Sequence, residues 1–119
     1  MQVDLLLYDA CMALNVRKVD VARYVADCLR REESPRASEL AMRYGVTLSH
    51  LSRTFHARHG VMLSEFIKRL QLRRAEMLLR NTKLDTTHVG YRCGFGTRRS
   101  FFRAYRRFKG DSPRRASRR

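Results

Sequence analysis

The sequence contains few of the residues that interrupt helices or cross-link small domains. Its 119 residues include two prolines, six glycines, three cysteines and no tryptophan. The cysteines, Cys11, Cys28 and Cys93, lie far apart and form no C-x-x-C pair, which argues against both a disulfide framework and a zinc cluster. We therefore expect one small domain in a reducing compartment, with no metal and no other cofactor.

Long apolar runs are also missing. No stretch approaches the roughly 18 residues that a membrane-spanning helix needs. The chain begins MQVD, without the basic segment that opens a signal peptide. The sequence thus predicts a cytoplasmic protein with no membrane partner.

Acidic residues are scarce, and the resulting positive charge is unevenly placed. Lys and Arg number 26 against 11 Asp and Glu, which gives a net charge of +15. Residues 1–60 hold nine basic and seven acidic side chains, whereas residues 61–119 hold seventeen and four. A positive field concentrated on one part of a small domain favours a polyanionic partner, either a nucleic acid or an anionic membrane surface.

Residues 86–109 have the pattern of two short helices joined by a tight turn. Thr86 or Thr87 can cap the first helix through its hydroxyl group. Gly94 can supply the positive φ that ends this helix, and Thr97 can cap the second one. The pattern therefore predicts a helical hairpin with a glycine in its turn.

The second helix of this pair, predicted to reach about Lys109, combines an apolar stripe with a basic surface. The apolar side chains recur at helical spacing: Phe101, Ala104, Tyr105 and Phe108. Arginines fill the remaining surface: Arg98, Arg99, Arg103, Arg106 and Arg107. A short helix, a glycine turn and an aromatic-backed basic helix predict a helix-turn-helix, whose second helix enters the major groove of DNA.

The same plan occurs a second time in residues 37–59. Ser38 is predicted to cap its first helix, Gly45 to end that helix, and Thr47 to cap the helix that follows. Residues 64–81 between the copies lack Gly and Pro and predict one helix about 25 Å long. Repetition of a whole supersecondary unit supports both assignments more strongly than either motif alone.

Several runs of residues resemble the AraC/XylS family of bacterial transcription regulators. The run VGYRCGF from Val89 and the run SFFRAYRRFKGDSP from Ser100 resemble the second helix-turn-helix of that family. The pattern LRRAxxLL from Leu72 is similar to the helix that joins its two helix-turn-helix units. One departure is at Gly96-Thr97-Arg98, where the family more often has Ser followed by Asp or Glu.

This resemblance implies an all-α fold of about seven helices, with two helix-turn-helix subdomains joined by a long linker helix. We expect an N-terminal helical extension or linker at 1–18, a DNA-binding domain at 19–113 and a mobile basic tail at 114–119. Within the domain, the first unit is expected at about 37–59, the linker helix at about 64–81 and the second unit at about 86–109. Residues 1–18 are too few for the family's effector domain. The protein therefore either works without a small-molecule effector or is represented here by a fragment.

Candidate DNA-binding residues lie on the second helix of each unit. They are Ser49, His50, Ser52, Arg53, Arg98, Arg99, Phe102 and Arg103. By resemblance, Ser49, Ser52 and Arg53 face bases, and His50 faces a phosphate or the solvent. Arg98 and Arg99 can each contact a guanine bidentately or grip a phosphate.

Three of these residues also have a structural alternative. Phe102 can touch a thymine methyl group or close the core. Arg53 and Arg103 can contact DNA or take part in a structural ion pair.

These features predict sequence-specific binding of double-stranded DNA and regulation of transcription. The resemblance implies an activator at the nucleoid that contacts RNA polymerase, in an oligomeric state left open. The alternative is an architectural or RNA-binding protein. RNA-binding modules usually expose aromatic side chains for base stacking, whereas the aromatic residues of this sequence occur at core spacing. An enzyme is not expected, because His56 and His59 have no third metal ligand nearby and Cys93 with His88 has no oxyanion-forming loop.

Overall fold

The computed structural model describes residues 14–117, and all regular structure in that range is helical. The helices are α1 (Lys18–Arg30), α2 (Ala37–Arg43), α3 (Leu48–His59), α4 (Leu63–Asn81), α5 (Thr86–Arg92), α6 (Arg98–Lys109) and α7 (Pro113–Ser117). The predicted all-α class with about seven helices is confirmed. Residues 1–13, where a further helix was expected, lie outside the described residues. Within residues 14–117, no helix is long and apolar enough to cross a bilayer.

The second helix of each pair begins at the predicted cap. The Thr47 hydroxyl accepts a hydrogen bond from the His50 backbone N–H at 3.1 Å, and the Thr97 hydroxyl accepts one from Ser100 at 3.0 Å. Each threonine thereby satisfies an N–H that the first turn of the helix leaves without a backbone partner. Although Gly96 and Thr97 depart from the family pattern, α6 still begins with an N-cap, which Thr97 provides.

The first helix of each pair begins differently from the prediction. Asp85, rather than Thr86 or Thr87, caps α5, since its carboxylate accepts from the His88 N–H at 2.8 Å. A carboxylate suits this position because it also complements the positive end of the helix dipole. Ser38 is not a cap either, because α2 already starts at Ala37 and has no side-chain cap.

Within residues 14–117, two separate hydrophobic clusters form the core, and α4 contributes to both. The first cluster joins α1, α2 and α3 to the start of α4 through Leu63 and Ile67. The second joins α5 and α6 to the rest of α4 through Leu72, Ala75 and Leu79. The radius of gyration is 16.5 Å, against about 13 Å for a compact domain of similar length. The molecule is therefore an elongated pair of helical units built on one continuous helix. The first unit comprises α1, α2, α3 and their connections, and the second comprises α5, α6 and the turn between them.

Close packing inside the second unit depends on a glycine at its centre. A Cβ atom added to Gly90 in α5 would lie 2.7 Å from Cδ2 of Phe101 in α6. The Phe101 ring is fully buried and packs against Phe95 and Tyr105, so it has little freedom to move away. Absence of a side chain at Gly90 thus lets α5 and α6 approach as closely as a helix-turn-helix requires.

The predicted mobile tail is partly wrong. Residues 113–117 form α7, in which Pro113 is fully buried and Ala116 packs against the second cluster. Proline suits the first position of a helix, where its missing N–H would have no partner anyway. Short helices of this kind carry too little periodicity to be recognised in a sequence. Residues 118–119 lie outside the described residues.

Candidate nucleic-acid interface

Helix α6 separates an aromatic inner face from a basic outer face. Phe101 and Tyr105 are buried in the second cluster, while Arg98, Arg99 and Arg103 are exposed. Residues 98–109 contain six basic side chains and no acidic one. Because its inner face is already occupied, α6 can approach a partner only with its arginine-covered face.

Phe102 and Arg98 form a stacked pair one helical turn apart. The Arg98 guanidinium carbon lies 4.4 Å from the centroid of the Phe102 ring, within the range of a cation–π contact. Phe102 itself is half-buried and meets Phe101 edge to face, with ring centroids 5.9 Å apart. Phe102 therefore does close the core, and its outer face also supports Arg98.

A shallow concavity on this face brings together most of the predicted residues of the second unit. It has a volume of about 590 Å³ and is lined by Arg98, Arg99, Phe102, Arg103, Arg106 and Ser112. Arg106 was not among the candidate site residues. Its position three residues after Arg103 and four after Phe102 could have identified it, because residues at these separations share one helix face.

The predicted residues on α3 are less basic than those on α6, and they differ in their exposure to solvent. Ser49 and Arg53 are exposed and Ser52 is half-buried. His50 differs, because its Nε2 atom is buried without a hydrogen-bond partner among the described residues. Contact between that nitrogen and a phosphate would require the imidazole ring to turn outward.

A second concavity lies between α4 and α6. It has a volume of about 460 Å³, and its basic side chains are Lys68, Arg69, Arg103 and Arg107, opposed by Glu65. Arg103 lines both concavities, so the basic surface of α6 continues onto the linker helix. Sequence reasoning missed Lys68 and Arg69 because the helical pattern assigned 64–81 only a spacing role.

Cys93 does not have the properties of a nucleophile. Burial raises the pKa of its thiol to about 11, so the thiol stays protonated at neutral pH. A reactive cysteine requires the opposite shift. His88, the other member of the pair considered from the sequence, is exposed.

Comparisons with known proteins agree with this architecture. A family model described as a helix-turn-helix domain matches residues 40–119. The HTH-type transcriptional activator RhaS of Escherichia coli O139:H28 is 33% identical over 75 residues, which cover 63% of this chain and 27% of RhaS. The chain therefore spans about a quarter of the length of such curated relatives.

Solved structures show the same fold. A transcriptional regulator from Chromobacterium violaceum with an AraC-type DNA-binding domain is 26% identical, with a TM-score of 0.67 over 82% of this chain and 89% of that one. The DNA-binding domain of AdpA, solved in complex with a target DNA, is 24% identical, with a TM-score of 0.70 over 82% and 88%.

Proposed function

Because this chain belongs to the AraC/XylS family of helix-turn-helix transcription regulators, we propose that it binds duplex DNA at specific sequences and activates transcription. The observation that carries the proposal is the arrangement of two helix-turn-helix pairs on one linker helix, with an arginine-covered outer face on α6. Two similar proteins support the proposal: RhaS is named a transcriptional activator, and the DNA-binding domain of AdpA was solved in complex with a target DNA.

The two units would contribute differently to recognition. Helix α6 begins with two exposed arginines, Arg98 and Arg99, and arginine can bind guanine bidentately or hold a phosphate. Ser49 and Ser52 on α3 are neutral and can donate or accept hydrogen bonds at base edges. We therefore assign the larger electrostatic share of binding to the second unit and a larger share of base discrimination to the first.

An architectural or RNA-binding role is less well supported. Proteins that bind single-stranded RNA present aromatic side chains on which bases stack. Here Phe55, Phe95, Phe101 and Tyr105 are buried in the two core clusters. These four aromatic residues therefore serve packing. Among the Phe and Tyr residues of 14–117, Tyr91 alone is exposed, which is too few for a surface on which successive bases stack.

Two further proposals follow from family membership. The protein acts in the cytoplasm at the nucleoid and activates transcription by contacting RNA polymerase. Loss of activation in a variant that still binds DNA would identify the polymerase-contacting surface.

Selection of duplexes from a random pool tests the central proposal. We expect enrichment of one bipartite, asymmetric site that mixed-sequence DNA cannot displace at equal concentration. The logarithm of the binding constant should fall with log salt by about 0.9 for each phosphate neutralised. If mixed-sequence DNA competes as well as any selected duplex, the architectural alternative is correct.

Substitution of single arginines separates base contacts from phosphate contacts. Arg53→Ala and Arg103→Ala are each expected to weaken binding to the selected site by about 1–3 kcal/mol and to relax preference in one box only. Lys68→Ala, which removes one charge from the linker helix, should weaken binding to all sequences alike and lower the salt slope by about 0.9. Identical behaviour of the three variants across sequences would contradict the assignment.

A further inference from the structure

The two units touch each other away from the linker helix. The Ser34 hydroxyl, in the connection between α1 and α2, donates a hydrogen bond to the backbone oxygen of Gly94 at 2.6 Å. Glu32 in the same connection pairs with Arg92, with 3.6 Å between Oε1 and Nε. Residues 60 positions apart in sequence thus join the first unit to the turn of the second.

Packing at this point leaves little room for a side chain on Gly94. A Cβ atom there would lie 3.0 Å from Cδ of Pro35 and 3.3 Å from Cδ2 of Leu29. Gly94 also has a φ of +85°, a conformation that other residues adopt only with strain. Its absent side chain therefore serves two purposes, the helix-turn-helix turn and the contact with the α1–α2 connection.

A buried glutamine holds the same turn from the linker helix. Gln71 in α4 is 8% exposed, and its Nε2 atom donates to the backbone oxygen of Cys93 at 3.0 Å. It lies between Ile67, the last buried α4 residue of the first cluster, and Leu72, the first buried residue of the second. Removing this buried donor would leave the Cys93 carbonyl without a hydrogen bond, which would lower the stability of the protein.

Glu32 occupies a conformation that glycine would adopt more easily. Its φ is +57°, and within residues 14–117 it is the one non-glycine residue with a positive φ. This position follows the end of α1, where glycine is common because it lacks a Cβ. Glutamate is less favourable than glycine in this conformation, and the side chain that it adds at this position reaches Arg92.

We propose that Glu32, Ser34, Pro35, Gln71, Arg92 and Gly94 form an inter-unit clamp that positions α6 relative to α3. A single helix fixes the separation of two units along its axis, yet it can still bend and twist. Attachment at a second point off that axis removes this freedom. This inference rests on the proposed function: the clamp restricts the protein to one spacing between the two boxes of its DNA site.

The test compares clamp variants with a matched control on a series of duplexes. The clamp variant carries Glu32→Gln and Ser34→Ala. The control carries Glu33→Gln and Ser38→Ala, because Glu33 pairs with Arg31 inside the first unit and Ser38 is exposed on α2. Dissociation constants are measured on duplexes whose boxes are separated by the preferred spacing and by one or two base pairs more or less.

We expect the wild type and the control to lose affinity steeply when the spacing changes. In the clamp variant, the ratio of the dissociation constant at an altered spacing to that at the preferred spacing should be about threefold to tenfold smaller than in the wild type. This is the range of affinity that corresponds to the net free energy of one hydrogen bond. A separate variant, Glu32→Gly, relieves the backbone strain, so its melting temperature should equal or exceed that of the wild type while its spacing tolerance widens. This second result distinguishes positioning from simple stabilisation.

The outcomes separate the two hypotheses. If the wild type shows no sequence preference at all, the proposed function fails. If the wild type prefers one spacing and the clamp variant has the same spacing profile as the control, the clamp inference is overturned. A Glu32→Gly protein that melts at a lower temperature with an unchanged profile would also overturn it.

Discussion

Insertion of about 5 bp between the two boxes of a selected site is expected to reduce binding to that of a single box. Five base pairs are about half a turn of B-DNA, so the second box would face away from the protein. Specific binding exceeds non-specific binding by roughly 4–10 kcal/mol. Loss of one box of two should therefore cost roughly 2–5 kcal/mol, or about 30-fold to several thousand-fold in Kd.

Insertion of a full turn provides the sharper control. It returns the second box to the same face of the DNA but moves it about 34 Å farther away. Helix α4, with its 19 residues, is part of both core clusters and cannot lengthen to follow. Both insertions should therefore give the affinity of a duplex with one box scrambled, measured by titration at fixed salt. Recovery of binding with the full turn would show that the two units act independently.

Phe101→Ala is expected to lower the free energy of unfolding by about 3–5 kcal/mol, since it leaves a cavity where a fully buried ring packed. Small domains have a total stability of about 5–15 kcal/mol, so this is a large fraction. The melting temperature should fall by roughly 4–8 °C for each kcal/mol. Thermal unfolding followed by circular dichroism measures the change.

Phe108→Ala is the matched control, because Phe108 lies on the same helix but is only half-buried. We expect a clearly smaller loss of stability from this variant. Hydrogen exchange should also show that Phe101→Ala lowers amide protection in α5 and α6 more than in α1, α2 and α3, whose contacts belong to the other cluster. Equal loss of protection throughout would mean that the two clusters unfold as one.

Local sequence information was sufficient for much of the fold. Helical periodicity and the caps at Thr47 and Thr97 depend on neighbours within one or two turns, and they were predicted correctly. Helix α7 was missed because it depends on burial of Pro113 and Ala116 against distant helices. Tertiary packing of this kind leaves no periodic signal in five residues.

The candidate site was recoverable only in part for a similar reason. Residues on the outer faces of α3 and α6 follow from helical spacing once the inner face is known. The position of Lys68 and Arg69 in the concavity beside α6 depends on how α4 lies against α6, and this angle is not encoded in either helix alone. The burial of Gln71 was likewise unpredicted, because its partner, the carbonyl of Cys93, lies 22 residues away.

The sharing of α4 between two clusters also limits how a gene encoding this protein can change over time. One residue inserted near Gln71 would rotate everything downstream by about 100° around the helix axis, since an α-helix has 3.6 residues per turn. Leu72, Ala75 and Leu79 would then leave their cluster, and the turn at Gly94 would lose Ser34. Variation in chain length should consequently be confined to the connections between helices, while α4 keeps the same number of residues in every functional descendant.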